Sequence, residues 1–178
     1  MLDITAIILA LQLSAPGLNV KTNHYYAKTI YRQQVKLGVD PLDTIAIAAH
    51  ESHWNQSLVS KDGLDWGLMQ IRSKYVKIPS QYLLEGSVNI KVGTNFMVSA
   101  QNFCGKWLKR EPSKQEWLST YQGSKRRCKS TNMAFKVESY SKCIYDSLLD
   151  QTSYNCWEIY KSHKYDGNYP VKSITIPS

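Results

Sequence analysis

Asp40-Pro41, followed by Leu42, Ile45, Ile47 and Ala49, constrains this chain more than any other feature. An aspartate accepts hydrogen bonds from the free N–H groups at a helix start, and proline at the first helical position has no N–H to leave unpaired. The dipeptide therefore opens a largely apolar helix that runs to about Trp54. Its end reads Ala48-Ala49-His50-Glu51-Ser52-His53-Trp54-Asn55, so Glu51 sits where the negative end of the helix dipole disfavours a carboxylate. Burial against Trp54, and against Met69 if folding brings it near, adds desolvation. Both effects raise a carboxyl pKa, which is what a general acid near neutral pH requires. On this helix alone a merely solvated glutamate is the simpler reading.

Other punctuation predicts further helices around it. A helical pattern spans about His24 to Leu37, and Gly38 is a good stop for it. Asn55 to Trp66 is polar, contains Gly63 and reads as a loop. The apolar stretch Gly67-Leu68-Met69-Gln70-Ile71 follows. Asn89 is placed to cap a long helix through Val92, Phe96 and Val98 toward Leu108. Ser113 and Glu116 form a capping-box pattern for a short helix ending near Tyr121 and Gly123. A last helical region covers roughly Asn132 to Ser162, broken once. The expectation is a mainly α, single domain with little strand.

Composition bounds the class of partner. Twenty-two Lys and Arg against 14 Asp and Glu leave a net charge of +8, which suits nucleic acid, a membrane surface or an anionic cell wall. Lys125-Arg126-Arg127 and Lys129 form a basic cluster, but no recognition helix or stacked-aromatic sheet accompanies it. A nucleic-acid partner is therefore not expected. His50-Glu51-x-His53 lacks the i, i+4 histidine spacing of a zinc protease, since position 54 is Trp. No CxxC pair occurs, so neither a metal nor a cofactor is expected. Cys104, Cys128, Cys143 and Cys156 instead suggest one or two disulfides and an oxidising compartment. Three pairings are open; the local one, Cys104 with Cys128 and Cys143 with Cys156, is the expectation. Residues 1–20 contain an apolar run, Ile4 to Leu13, then Ser14-Ala15-Pro16-Gly17. The segment reads either as a signal peptide lacking its basic start or as a first helix, and is too short to span a bilayer.

Four motifs in order carry a resemblance. Glu51-Ser52-His53-Trp54-Asn55 is followed by Asp62-Gly63-Leu64-Asp65-Trp66-Gly67-Leu68-Met69-Gln70-Ile71. Farther on come Ser87-Val88-Asn89-Ile90-Lys91-Val92-Gly93 and Leu118-Ser119-Thr120-Tyr121-Gln122-Gly123. The segment from Glu51 to Gly123 resembles the soluble lytic transglycosylases, in particular those that accompany secretion and pilus systems. That family joins a Glu-Ser pair to a Gly-Leu-Met-Gln-Ile block, then has Asn-Ile-x-x-Gly and Ala-Tyr-Asn-x-Gly. The flanks, about Met1 to Val20 and beyond Cys128, match weakly or not at all. Two departures stand out: Tyr121 is followed by Gln122 rather than Asn, and the loop before Gly67 is one residue longer than the simplest family pattern.

The resemblance implies a lysozyme-like fold over residues 21–178 and cleavage of peptidoglycan between N-acetylmuramic acid and N-acetylglucosamine. Glu51 is implied as the catalytic acid and base, and the substrate as the glycan strands outside the cytoplasm. The setting would be periplasmic, secreted or phage-borne, in association with a secretion apparatus or a phage particle. Gln70 is implied to contact an N-acetyl group, with Met69 as an apolar wall. Tyr121 is implied to hydrogen-bond near Glu51 or the sugar. Gly67 is expected to let the backbone approach the sugar, and Ser60 takes the place of the family's loop serine. Goose-type lysozymes share the Glu-Ser-His and Gly-Leu-Met-Gln features but hydrolyse the same bond, using aspartates to position water. Asp62 and Asp65 are the candidates for that role here. The position after Ile71, where those hydrolases carry Asp, is Arg72, which favours the transglycosylase. A non-catalytic wall-binding module is the reading of another class, and an intact Glu51 argues against it.

Overall fold

A computed structural model of the chain describes residues 1–123, 128–150 and Cys156. The expected helical pattern from 151 to Ser162 and the basic cluster Lys125-Arg126-Arg127 lie outside the described residues. Within them there are six α-helices and one very small sheet: α1 Ile4–Ser14, α2 Val20–Leu37, α3 Pro41–Ser52, α4 Gly86–Leu108, α5 Lys114–Tyr121 and α6 Asn132–Leu149. β1 Asp65–Trp66 pairs antiparallel with β2 Ile71–Arg72. The fold is mainly α and lysozyme-like, with little strand, as expected. No helix among the described residues is long and apolar enough to cross a membrane.

α3 is the axis of the domain. Every residue from Pro41 to Ala49 is buried, because α1, α2 and α6 all pack around it. A helix apolar on all sides is stable only when so enclosed. Asp40 caps it through the Leu42 N–H, with Pro41 at its first turn. The helix stops at Ser52, two residues before the expected end, where His53 and Trp54 adopt left-handed backbone at φ 53° and 62°. One carboxylate lies inside this core. Asp43 accepts from Ser141 Oγ and Lys114 Nζ, each at 2.8 Å, so three helices share one polar knot. Burial pushes its pKa up to about 6 even against the Lys114 charge.

Two boundaries differ from expectation for instructive reasons. α2 begins at Val20, because the Asn19 side chain accepts from the Thr22 N–H four residues before the hydrophobic pattern becomes clear. α4 begins at Gly86 with Glu85, not Asn89, as its cap: the Glu85 carboxylate accepts from the Ser87 and Val88 N–H groups. Asn89 lies inside α4, fully buried, and turns its amide onto the Gly67–Met69 turn. Ser113 and Glu116 close the capping box expected of them at α5.

Two disulfides join Cys104 to Cys128 and Cys143 to Cys156, with Cα atoms 5.4 and 5.8 Å apart. The pairing is the local one. The first anchors α4 to the segment after α5, where the Cys128 N–H donates to Thr120 Oγ1. Closing loops of 24 and 13 residues stabilises a domain by about 3 kcal/mol each in the chain-entropy account. Cys104→Ala with Cys128→Ala should therefore lower the denaturant midpoint by a clearly measurable margin. Thiol titration of the unfolded, unreduced wild type should find no free thiol. Four titratable thiols in protein from an oxidising compartment would count against both bonds.

Candidate active site

A groove of about 670 Å³ opens along one side of the domain. Its walls come from the end of α3, the β1–β2 hairpin, the middle of α4 and the end of α5, segments far apart in sequence. Glu51, Asp65, Met69, Gln70, Arg72, Tyr121 and Gln122 all line it.

Glu51 is mostly withdrawn from water, and burial pushes its pKa up to about 7. The Gln122 amide opposes the shift, while the Asp65 charge adds to it. Gln122 lies close enough to favour the carboxylate without closing a full hydrogen bond. Its Nε2 and Oε1 are both buried with no hydrogen-bond partner among the described residues. A carboxyl poised near neutrality can give up a proton and take one back. Trp54, which the sequence set against Glu51, does not line the groove. That indole stacks on Tyr26 and donates to Ser14 Oγ at 3.0 Å, which places it in the core beneath α1.

Behind Glu51 the groove floor is tightly tied. Asn89 Nδ2 donates to the carbonyls of Trp66 and Leu83, and Asn89 Oδ1 accepts from the Met69 N–H at 2.7 Å. The Tyr121 hydroxyl donates to the Met69 carbonyl at 3.1 Å. Burial, then the charge of Glu51, holds the Tyr121 pKa well above its usual value, so the phenol stays a donor. The Met69 side chain rests on Gly93, where an added Cβ would lie 2.3 Å from its sulfur. Gln70, at φ 45°, donates from Nε2 to the carbonyls of Leu58 and Gly67. Both carbonyls accept only, so this fixes which end of the amide is which, and Oε1 is left for another donor.

The remaining residues singled out by sequence lie elsewhere. Gly67, expected to face a sugar, faces protein: a Cβ there would sit 2.2 Å from the Leu83 carbonyl oxygen and 2.3 Å from Asn89 Nδ2. Ser60 and Asp62 do not line the groove. Ser60 Oγ instead closes its own loop, accepting from the Leu64 and Asp65 N–H groups and donating to Asp62. Asp62 and Asp65 both pair with Arg72, each at 3.1 Å. The sequence marked Arg72 only as a missing aspartate; its role as the partner of both carboxylates needs the hairpin register, which sets Asp65 opposite Arg72. Phe96, Ser99, Ala100 and Phe103 also line the groove and were not singled out. Their i, i+3, i+4, i+7 spacing on one face of the expected helix was the available signal.

A family model described as the transglycosylase SLT domain matches residues 28–156. No curated protein and no solved structure matches the chain.

Proposed function

The chain belongs to the lytic transglycosylase family defined by the transglycosylase SLT domain, and from that premise we propose that it cleaves the β-1,4 bond between N-acetylmuramic acid and N-acetylglucosamine, leaving a 1,6-anhydro end. Glu51 in its acid form protonates the glycosidic oxygen, and the bond to C1 of the muramic residue breaks. The Glu51 carboxylate then takes the proton of the muramic 6-hydroxyl, whose oxygen bonds to C1 and closes the anhydro ring. No water is consumed, so one carboxylate is enough. A hydrolase needs a second carboxylate at a defined separation.

The observation that carries this reading is the state of that second carboxylate. Among the described residues Asp65 is the other acid in the groove wall, and Arg72 holds it in a pair together with Asp62. A carboxylate whose oxygens are held by a guanidinium is not free to position a water. In this reading Gln70 Oε1 accepts from an N-acetyl N–H, and Met69, buried against Gly93, backs the groove floor. Tyr121, near enough to feel the Glu51 charge, holds the Met69 carbonyl in position. The two disulfides suit an oxidising site of action, periplasmic or secreted.

Mass analysis of products from purified sacculi tests the proposal. Muramic ends should be lighter by one water than hydrolytic ends and should lack a reducing group. Asp62→Asn and Asp65→Asn should leave most of the activity in place. Predominantly reducing muramic ends, or loss of cleavage in either variant with the fold intact, would favour a goose-type hydrolase instead.

A further inference from the structure

The cleavage reading leaves one feature of α4 unused. Phe96, Ser99, Ala100 and Phe103 form the groove side of the helix. Trp107 continues that face by one more turn, about 6 Å farther along the axis. At 71% exposure it is the most exposed aromatic side chain among the described residues. It is nonetheless held in place, because its ring stacks on Phe103 with centroids 6.2 Å apart and planes 12° from parallel. Phe103 is groove wall, so the apolar face of the indole runs on from the groove without a break. A tryptophan kept at the surface in this way is suited to contact, since its broad ring offers much area at little entropic cost.

We propose that Trp107, supported by Phe103, is an outer subsite of the groove on which a pyranose ring of a long glycan strand stacks. The inference rests on the glycan-cleaving reading above and extends it along the strand. An N-acetylhexosamine ring presents a face of C–H groups that lies flat on an aromatic ring, and two near-parallel rings offer a platform for it. A protein partner fits less well. The exposed apolar surface here amounts to two rings, and Lys106, Lys109 and Arg110 around it are all exposed. Protein interfaces have larger apolar centres from which lysine is depleted. Lys106 and Lys109 instead suit the carboxylates of the peptides that muramic residues carry, while Arg110 is paired with Glu116.

The test uses Glu51→Gln protein, so that bound strands stay uncut, and titration calorimetry with N-acetylglucosamine oligomers from disaccharide to octasaccharide. Adding Trp107→Ala should weaken octasaccharide binding by about tenfold and leave the disaccharide unchanged. Trp107→Tyr should keep most of the affinity. In the active enzyme, Trp107→Ala should raise KM for long strands with little change in kcat. Trp107 is exposed, so an unaltered thermal midpoint should accompany these effects. Octasaccharide binding as tight in Trp107→Ala as in its parent, or an equal loss at every chain length, would overturn the subsite while leaving the cleavage reading intact. Failure of the parent with Trp107 in place to bind any oligomer would sink both.

Discussion

Glu51→Gln is expected to reduce glycan cleavage by roughly 10²–10⁴-fold or more, because one side chain supplies both the acid and the base step. The same substitution should stabilise the fold at alkaline pH. Burial raises the folded-state pKa of Glu51 from its ordinary value of 4.5 to about 7. The folded chain therefore holds a proton that the unfolded chain has already lost over that interval. Stability from this group is complete below about pH 4.5 and declines as pH rises through about 7. Gln carries no charge at any pH and avoids the loss. At pH 8 the variant should be more stable than wild type by on the order of 2–3 kcal/mol, which for a chain of this size is roughly 5–10 °C in Tm. At pH 4 the two should melt together. Wild-type kcat/KM should also fall as pH rises past about 7, since the first step needs the protonated acid. Thermal melts at the two pH values, read beside the rate, separate this prediction from simple damage. An active variant, or one less stable than wild type at pH 8, would remove Glu51 from the role.

Gly67→Ala is expected to be among the most destabilising single changes available. Gly67 has φ 76°, a region that costs an alanine roughly 1–2 kcal/mol by itself. The added methyl would also collide with the Leu83 carbonyl and the Asn89 amide. Both are fixed: Asn89 Nδ2 donates to Leu83 O at 2.8 Å and to Trp66 O at 2.7 Å. Relief of the clash must open at least one of these buried hydrogen bonds, each exposed group adding about 1–3 kcal/mol. The total should reach roughly 3–5 kcal/mol, a large share of a typical domain's stability. Gly63→Ala is the control. Its φ is 71°, but nothing lies within 4 Å of the missing Cβ, so only the backbone cost applies. Denaturant midpoints of the two variants should differ widely. Equal losses would show that the Asn89 knot contributes little.

The knot also shows why some residues misled the sequence reading. Asn89 stands where a helix cap is plausible, and the polar side chain alone does not reveal whether it turns toward its own helix or toward another segment. Glu85, four residues earlier, took the cap, and Asn89 was left to bind a turn some twenty residues away in the chain. Trp54 lies three residues from Glu51, but the left-handed backbone at His53 and Trp54 turns the indole into the core. Gly67 was marked for the approach of a sugar, and the group that approaches it is protein.

What the sequence determined by itself is the set of features whose partners are near in the chain. The Asp40-Pro41 start, the Gly38 stop and the Ser113–Glu116 capping box involve residues within about one helical turn, and such contacts form whatever surrounds them. The motif order likewise marked Glu51, Gln70 and Tyr121. The tertiary structure decided everything that depends on distant neighbours. Glu51 titrates near neutrality because α4, α5 and the hairpin close over it. Asp65 is tied to Arg72 because the β1–β2 register sets the two opposite each other, and the same guanidinium reaches Asp62 in the loop before the hairpin. Trp107 stands beside the groove because it stacks on Phe103, a ring already in the wall. Burial and Coulomb energy depend on what stands within a few ångströms in space, and only the folded chain specifies that.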